Sequence, residues 1–347
     1  MNLRKKIVIS CVSVLILSRA AAQQQPYYTQ YILNNFILNP ALAGIENYWD
    51  FKASYRNQWV GLDGAPTTLY LTAHAPIGKT AYDRENPTTV PDLQAKNSGA
   101  KQFWMEYTAP PAHHGVGFTI LNDKTGPLSR IAAYGSYAYH LPVGVKTSLS
   151  FGVSFGVQEV NVDISAVNFG QYNPVDPAAL SSGYLNKLQP DMNAGLWLSN
   201  KDFFVGLSAQ QIIPVPINTP THSTTADTVT LLKGKLIPHT FLTAGYKYLV
   251  NEDISILPSV MLRYVQPLPL GFDLNVKVQY QDLLWVGVSY RLSEGYAAML
   301  GVNINSTFNL GYSYDFTTGQ LNTVSRGTHE IVLGFLWRRK NNEPYGK

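Results

Sequence analysis

Seven histidines are the first candidates for metal or acid–base chemistry in this chain, and none sits in a pattern that would do it. His113 and His114 are adjacent, so on a strand they point to opposite faces and cannot chelate one metal together; a structural or interfacial role is expected. His329-Glu330 has no second histidine four residues on, so the two-histidine helix of a zinc protease is missing. No Gly-x-Ser-x-Gly elbow stands beside a helix-forming segment. Gly115-x-Gly117 and Gly152-x-x-x-Gly156 lie inside strand-like stretches, where glycine marks close packing and not a phosphate cradle. The charged residues also read as structural. Asp123-Lys124, before Gly126-Pro127, is a polar turn. Arg56 and Trp59, three apart, would face opposite sides of a strand, Arg56 inward and Trp59 in an interfacial aromatic belt. Asp273, Lys277 and Arg291 share one face and would line an interior as a mutually paired ladder. Arg338-Arg339-Lys340 would anchor the chain at headgroup level. Catalytic, metal-binding and cofactor-binding residues are all expected to be absent, and no enzyme activity is expected.

The elements that would have to carry these residues are long strands. From Phe272, the residues Phe272, Leu274, Val276, Val278 and Tyr280 alternate with Asp273, Asn275, Lys277, Gln279 and Gln281. After a tight turn, Leu284, Val286, Val288, Tyr290 and Leu292 alternate with Trp285, Gly287, Ser289 and Arg291. A period of two places one set on each face. Fourteen such stretches are expected, near 50–60, 67–77, 113–122, 130–141, 146–158, 190–199, 202–211, 238–249, 254–265, 270–281, 283–292, 296–305, 307–316 and 328–338. Most match the roughly 9–11 residues that cross a bilayer at a steep tilt, whereas soluble strands have a mode nearer 5–6. The sequence therefore predicts an all-β, transmembrane antiparallel β-barrel of about 14 strands with an N-terminal arm or plug.

Connection lengths agree. Short links at Pro142–Val145, Asn200-Lys201, Asn251–Asp253, Asp282 and Asn305-Ser306 would be periplasmic, and the long Glu159–Gln189 and Ile212–Ile237 segments, Asp123–Ser129 and Thr317–Gly327 external loops. Gly78–Ala112 is long on the supposed periplasmic side, so either it is an insertion there or the first two strands are misassigned. Ahead of the strands, Gln23–Tyr48 is polar and aromatic-rich and suits a docked plug or arm.

Composition narrows the class. Arg4, Lys5 and Lys6, the apolar run Ile7–Leu17 and Ala20-Ala21-Ala22 form a secretory signal with Cys11 inside it, and the mature chain is expected to begin near Gln23. Residues 1–22 hold four of the 26 basic residues and no acidic one, leaving 22 basic against 22 acidic, so charge gives nucleic-acid binding no support. Charged residues make up 14% and aromatics 12%, fewer charges than soluble domains carry. The expected divisions are a signal peptide at 1–22, an arm or plug at 23–49, a barrel at 50–338 and a polar tail at 339–347. A secreted β-sandwich array is the competing reading.

The motifs themselves resemble a known family. Tyr28-Thr29-Gln30-Tyr31, Asn39-Pro40-Ala41 with Ala43-Gly44, Tyr55-Arg56-Asn57-Gln58-Trp59, Gly64-Ala65-Pro66, Asn122-Asp123-Lys124-Thr125-Gly126-Pro127 and Leu310-Gly311-Tyr312-Ser313-Tyr314-Asp315 recur in the order seen in the PorP/SprF family. The resemblance implies an outer-membrane protein of the type 9 secretion system, serving either core secretion with its gliding apparatus or the export and surface display of cargo. It implies outer-membrane lipid, periplasmic secretion-system subunits and cargo with a C-terminal sorting domain as partners. The motif positions it offers for partner contact are Asn39, Pro40, Gly44, Arg56, Trp59, Asn122, Asp123 and Lys124. The alternatives are a passive channel or small hydrophobic-ligand transporter of the outer membrane, and an outer-membrane hydrolase or acyltransferase.

Overall fold

The computed structural model describes residues 28–79, 88, 107–162, 187–213, 216–217, 234–235, 237–266, 268–281, 283–292, 295–305, 307–318 and 323–337. Fourteen antiparallel strands form one closed sheet. They are β1 (Trp49–Asn57), β2 (Thr67–Ile77), β3 (His113–Thr125), β4 (Leu128–Gly144), β5 (Thr147–Val162), β6 (Lys187–Asn200) and β7 (Phe203–Gln210). They continue as β8 (His239–Tyr246), β9 (Ile254–Val265), β10 (Gly271–Tyr280), β11 (Leu284–Arg291), β12 (Gly295–Asn303), β13 (Phe308–Thr317) and β14 (Thr328–Trp337). Each pairs with its neighbours in sequence, and β1 pairs with β14 from Trp49↔Trp337 to Asn57↔His329, which closes the barrel. Tyr248–Leu249 continues β8 past an irregularity at Lys247 and pairs with Ile256 and Ser255 of β9.

The two faces settle the choice between barrel and sandwich. On β10 and β11, Val286 and Val288 are 59% and 60% exposed, while Asp273 and Asn275 are 3% and 2% exposed. In a sandwich the aliphatic set would be the buried one. Here the apolar rows look out and the polar rows look in, the arrangement that hydrocarbon outside the barrel selects. Strand β8, whose alternation favours neither face in the sequence, turns His239, Phe241 and Thr243 inward and Leu242 and Tyr246 outward. Among the described residues no helix is long and apolar enough to cross a membrane.

The connections after the even-numbered strands lie at one end (the turn end) and those after the odd-numbered strands at the other (the loop end). Loop-end connections range from the Gly126-Pro127 turn to the long segment between β5 and β6. Asp123–Ser129, expected as an external loop, is otherwise taken up by β3 and β4, so Asp123-Lys124 are strand residues and not a turn. Because β2 pairs with β1 from Asn57↔Thr67 and with β3 from Ile77↔His114, the 78–112 segment opens at the turn end and is an insertion there. Strands β4 and β5, of 17 and 16 residues, run well past bilayer requirements.

The barrel is filled by its own N-terminal arm. Residues 28–48 run through the lumen in three single 3₁₀ turns, Thr29–Ile32, Asn35–Ile37 and Pro40–Leu42. Asn39 caps the last: its Oδ1 accepts the Ala41 N–H at 3.0 Å, and Pro40 follows at the position where a missing N–H costs nothing. Gly44, at φ +70°, ends the turn in the left-handed region. The arm packs as two apolar clusters. Tyr28, Tyr31, Ile37 and Leu38 meet Tyr70, Leu121, Tyr134, Phe241 and Met261 on the wall. Phe36, Leu42 and Ile45 meet Trp197, Phe204 and Leu257.

Candidate functional site

The arm is held at three heights. Near the loop end, Thr29 sits at the centre of a buried ion network. The Arg56 guanidinium pairs with Glu330 (Nη1–Oε2, 3.0 Å) and Asp315 (Nη2–Oδ2, 2.7 Å), and Arg291 pairs with the same Asp315 oxygen at 3.1 Å. Both arginines donate to the Thr29 hydroxyl, at 2.7 and 2.6 Å, and the Thr29 N–H donates to Glu330 at 2.8 Å. Gln30 Nε2 donates to the Glu330 carbonyl at 3.0 Å. Arg56 and Glu330 are register partners across β1 and β14, so the network spans the strand pair that closes the barrel. Asp273 reaches Arg291 at 3.7 Å, so one rung of the ladder expected from the sequence is present, and Arg291 ties it to the arm through Thr29. Lys277 also faces inward, 5.8 Å from the Trp285 ring centre.

In the middle of the lumen, steric fit takes over. Added Cβ atoms on Gly152 and Gly195 would overlap Ala41 and the Asn39 side chain, and one on Gly115 would overlap the Ala43 carbonyl. These wall glycines form the track along which the arm's backbone lies. Asn39 Nδ2 donates to the Leu196 carbonyl at 2.9 Å, and Gln210 Nε2 donates to the Ile37 and Leu38 carbonyls at 2.9 and 3.1 Å.

Towards the turn end, three imidazoles surround the Ala43-Gly44 step. His140 Nε2 lies 2.7 Å from the Ala43 carbonyl, His113 Nε2 lies 3.2 Å from the Gly44 carbonyl, and the Gly44 N–H donates to His74 Nδ1 at 3.3 Å. The His113 and His140 rings stack 4.4 Å apart. Asp50 pairs with Lys52 and lies 3.6 Å from His74. Below this level Lys79 donates to the Ile45 carbonyl at 2.7 Å, and the flank of the insertion returns as Tyr107 beside Glu46. Burial, and then the Glu46 carboxylate, pushes the Tyr107 phenol above its ordinary range.

The motif positions divide into two groups. Asn39, Pro40, Gly44 and Arg56 are buried between arm and wall, each with an intramolecular role. Trp59, Asn122, Asp123 and Lys124 lie at the loop end, where Asp123 accepts from Thr68 at 2.6 Å and Asn122 and Lys124 are exposed. Trp59 departs from its expected place. Strand β1 stops at Asn57, so Trp59 stands in the connecting loop with φ +52° instead of in a membrane belt, and its N–H donates to Thr328 Oγ1 at 3.1 Å. That loop is braced on both sides: Val60 exchanges backbone hydrogen bonds with Arg326 and Gly327, and Gly126 N–H donates to the Gly64 carbonyl. The outward belt is supplied elsewhere. His114 bonds Tyr137 Oη at 2.6 Å, and His329 bonds Tyr312 Oη at 2.7 Å. Arg338-Arg339-Lys340 lie outside the described residues.

The site offers little reactive geometry. Ser150 and His140 form a hydroxyl–imidazole pair at 2.7 Å, but Ser150 is fully buried and the second ring nitrogen is committed to Ala43. Ser154, within Gly152-Val153-Ser154-Phe155-Gly156, lies mid-strand with its hydroxyl 2.8 Å from that of Ser136. Among the described residues no cluster of three or more His, Cys, Asp or Glu is arranged to hold a metal ion. Between the arm and β3–β6 a residual cavity of about 30 Å³, lined by Tyr28, Phe36, Arg130, Tyr134 and Asn193, has room for about two waters. The pairing of His74, His113 and His140 around one turn escaped sequence reasoning, since they lie on three strands; their shared inward parity was the available signal.

A closed barrel with an apolar exterior and a lumen filled by its own N-terminal arm is the architecture of a plugged outer-membrane β-barrel. The family model for the type IX secretion system membrane protein PorP/SprF matches residues 20–335, and the chain belongs to that family. It is an outer-membrane component of the type IX secretion system. Among solved structures, a monoaromatic hydrocarbon channel, CymD, is similar in fold at 13% identity and TM-score 0.50, over 90% of this chain and 93% of that one. The Ralstonia pickettii toluene transporter TbuX is similar at 10% identity and TM-score 0.48, over 87% and 92%. The Pseudomonas putida toluene transporter TodX is similar at 9% identity and TM-score 0.49, over 92% and 96%. No curated protein matches the chain by sequence.

Proposed function

We propose that this chain is a non-enzymatic docking component of the type IX secretion system, matured by removal of residues 1–22. It supports export or surface attachment of cargo bearing a C-terminal sorting domain, or the gliding machinery that shares the system. One observation carries the choice of dock over conduit. The lumen is crossed by a covalently attached segment held by ions, glycine fit and imidazoles at three heights, which stands in the path a solute would take. Such a barrel contributes surfaces: braced loops outside, and the 78–112 insertion with the arm's exit inside, facing periplasmic subunits. Deleting the gene should strip sorting-domain cargo from the cell surface and medium. Cargo still exported and displayed at wild-type levels rejects the role.

The second reading is a passive channel or hydrophobic-ligand transporter. The overall fold shared with a hydrocarbon channel is what favours it, and that likeness concerns the fold and not the solute. Steady conductance steps from the purified protein in planar bilayers, without partners, would support it.

A further inference from the structure

Two outward histidines share one arrangement at opposite ends of the barrel. On β3, His114 pairs in register with Tyr139 of β4, whose ring centre lies 5.1 Å away, and its Nδ1 lies 2.6 Å from the hydroxyl of Tyr137. On β14, His329 pairs with Tyr314 of β13, ring centres 5.0 Å apart, and its Nδ1 lies 2.7 Å from the hydroxyl of Tyr312. His114 is the second residue of β3, at the turn end, and His329 the second of β14, at the loop end. At both ends the tyrosine that bonds Nδ1 is the one nearer mid-barrel. Nδ1 is thus engaged from the side of the apolar row, and Nε2 is left on the side of the rim. Neither Nε2 has a hydrogen-bond partner among the described residues.

Each histidine stands where its apolar row stops. The outward row of β3 runs from His114 through Val116, Phe118 and Ile120 to Asn122, and that of β14 from His329 through Ile331, Leu333 and Phe335 to Trp337. At about 3.3 Å per residue and a tilt of about 40°, either row spans about 20 Å, close to the apolar band of about 25 Å that such barrels present to lipid. The two imidazoles therefore lie at the two headgroup layers, where lipid phosphates are the charged acceptors. A tyrosine hydroxyl that donates to Nδ1 leaves the hydrogen of a neutral imidazole on Nε2, and a protonated imidazole carries one there as well.

We infer that His114 and His329 form one lipid-headgroup site in each leaflet, where the Nε2–H donates to a lipid phosphate while the paired tyrosines fix the ring. Such sites serve a dock and a conduit alike, since either must sit at a set height in the bilayer. Native mass spectrometry of the intact barrel in detergent, titrated with phosphatidylglycerol, tests this. The unaltered chain is expected to hold two lipids. His114→Phe and His329→Phe should each weaken one of them about tenfold or more, the loss of a hydrogen bond to a charged group. Tyr137→Phe, which keeps the ring and removes the hydroxyl, should weaken only the turn-end lipid. Unchanged binding in the double His114→Phe/His329→Phe variant overturns the sites. Equal binding of a galactosyl diacylglycerol, which lacks phosphate, or displacement of the lipid by millimolar inorganic phosphate, overturns a lipid phosphate as the ligand. Should a variant not fold, solid-state NMR of the unaltered chain with nitrogen-labelled histidine in phosphatidylglycerol vesicles reads the same contact. Dephasing of the His114 and His329 Nε2 signals by lipid phosphorus is expected, and its absence overturns the sites.

Discussion

Arg56→Met tests how arm and barrel are joined. The substitution keeps most of the side-chain stem and removes a guanidinium that is 2% exposed and shared by Glu330, Asp315 and Thr29. Its effects on the two carboxylates differ. Asp315 retains Arg291 at 3.1 Å and the Thr29 hydroxyl. Glu330, fully buried, keeps the Thr29 N–H at 2.8 Å and the Ser54 hydroxyl at 3.3 Å, donors that carry no charge. Removing one member of a buried ion pair costs about 3–5 kcal/mol, because the other is left as an uncompensated charge. Glu330→Gln added to Arg56→Met removes that charge and leaves an amide oxygen for the Thr29 N–H. The double variant should recover about 2 kcal/mol relative to the sum of the singles. Urea unfolding in lipid vesicles, followed by tryptophan fluorescence, measures all three. A loss below about 1 kcal/mol for Arg56→Met, or strict additivity in the double, would mean that packing alone holds the arm and that the network is incidental.

Three further outcomes follow from the same geometry. Gly152→Val should push the Pro40-Ala41 backbone off the wall and cost about 1–3 kcal/mol or more, whereas Gly135→Ala, with nothing within 4 Å of the new Cβ, should be close to neutral; both are read by urea midpoints. Deleting residues 28–44 should convert a barrel silent in planar bilayers into one with resolved conductance steps, and a silent deletion variant that is still folded would refute the plug. Val288→Arg, on the outward face of β11, should cost about 2–4 kcal/mol near the bilayer midplane, and a neutral result would argue against hydrocarbon contact there.

Strand positions were legible because a barrel wall has only two environments, so that polarity at period two states which way each side chain faces. Strand β9, Ile254–Val265, falls where its alternation ends on both sides. Strands β4 and β5 extend past their expected ends because pairing continues from Leu128↔Val162 beyond the apolar rows, and backbone hydrogen bonding does not depend on side-chain polarity. Trp59 shows a boundary that pattern could not place. The aromatic at that position looks like a belt residue, but β1 ends two residues earlier, and Gly61, Gly64 and Gly327 take up left-handed conformations around it. The loop is ordered by backbone bonds to Gly126 on one side and to Arg326 and Gly327 on the other, all far off in sequence. Pro127, next after Gly126, fixes the backbone of the β3–β4 turn against which Gly64 rests.

The string Asn39-Pro40-Ala41 with Ala43-Gly44 was readable as a pattern but not as a mechanism, and the reason is distance along the chain. Asn39 answers to Leu196 and Gly195, Ala41 to Gly152, Ala43 to His140 and Gly115, and Gly44 to His74. Most of these partners are glycines or histidines scattered over five strands, ordinary where they stand. A glycine at an inward position of a barrel strand says only that something approaches closely. An arm with short 3₁₀ turns says only that something must hold it. Neither half specifies the other until the sheet forms, and the register of β3–β6 brings Gly115, Gly152 and Gly195 into one row across the wall. Residues that resemble a partner-binding motif in the sequence therefore serve first as the chain's contact with itself. The motif and insertion residues not committed to the arm lie at the two ends of the barrel, where Trp59, Asn122 and Lys124 stand at one mouth and the flanks of the 78–112 insertion at the other.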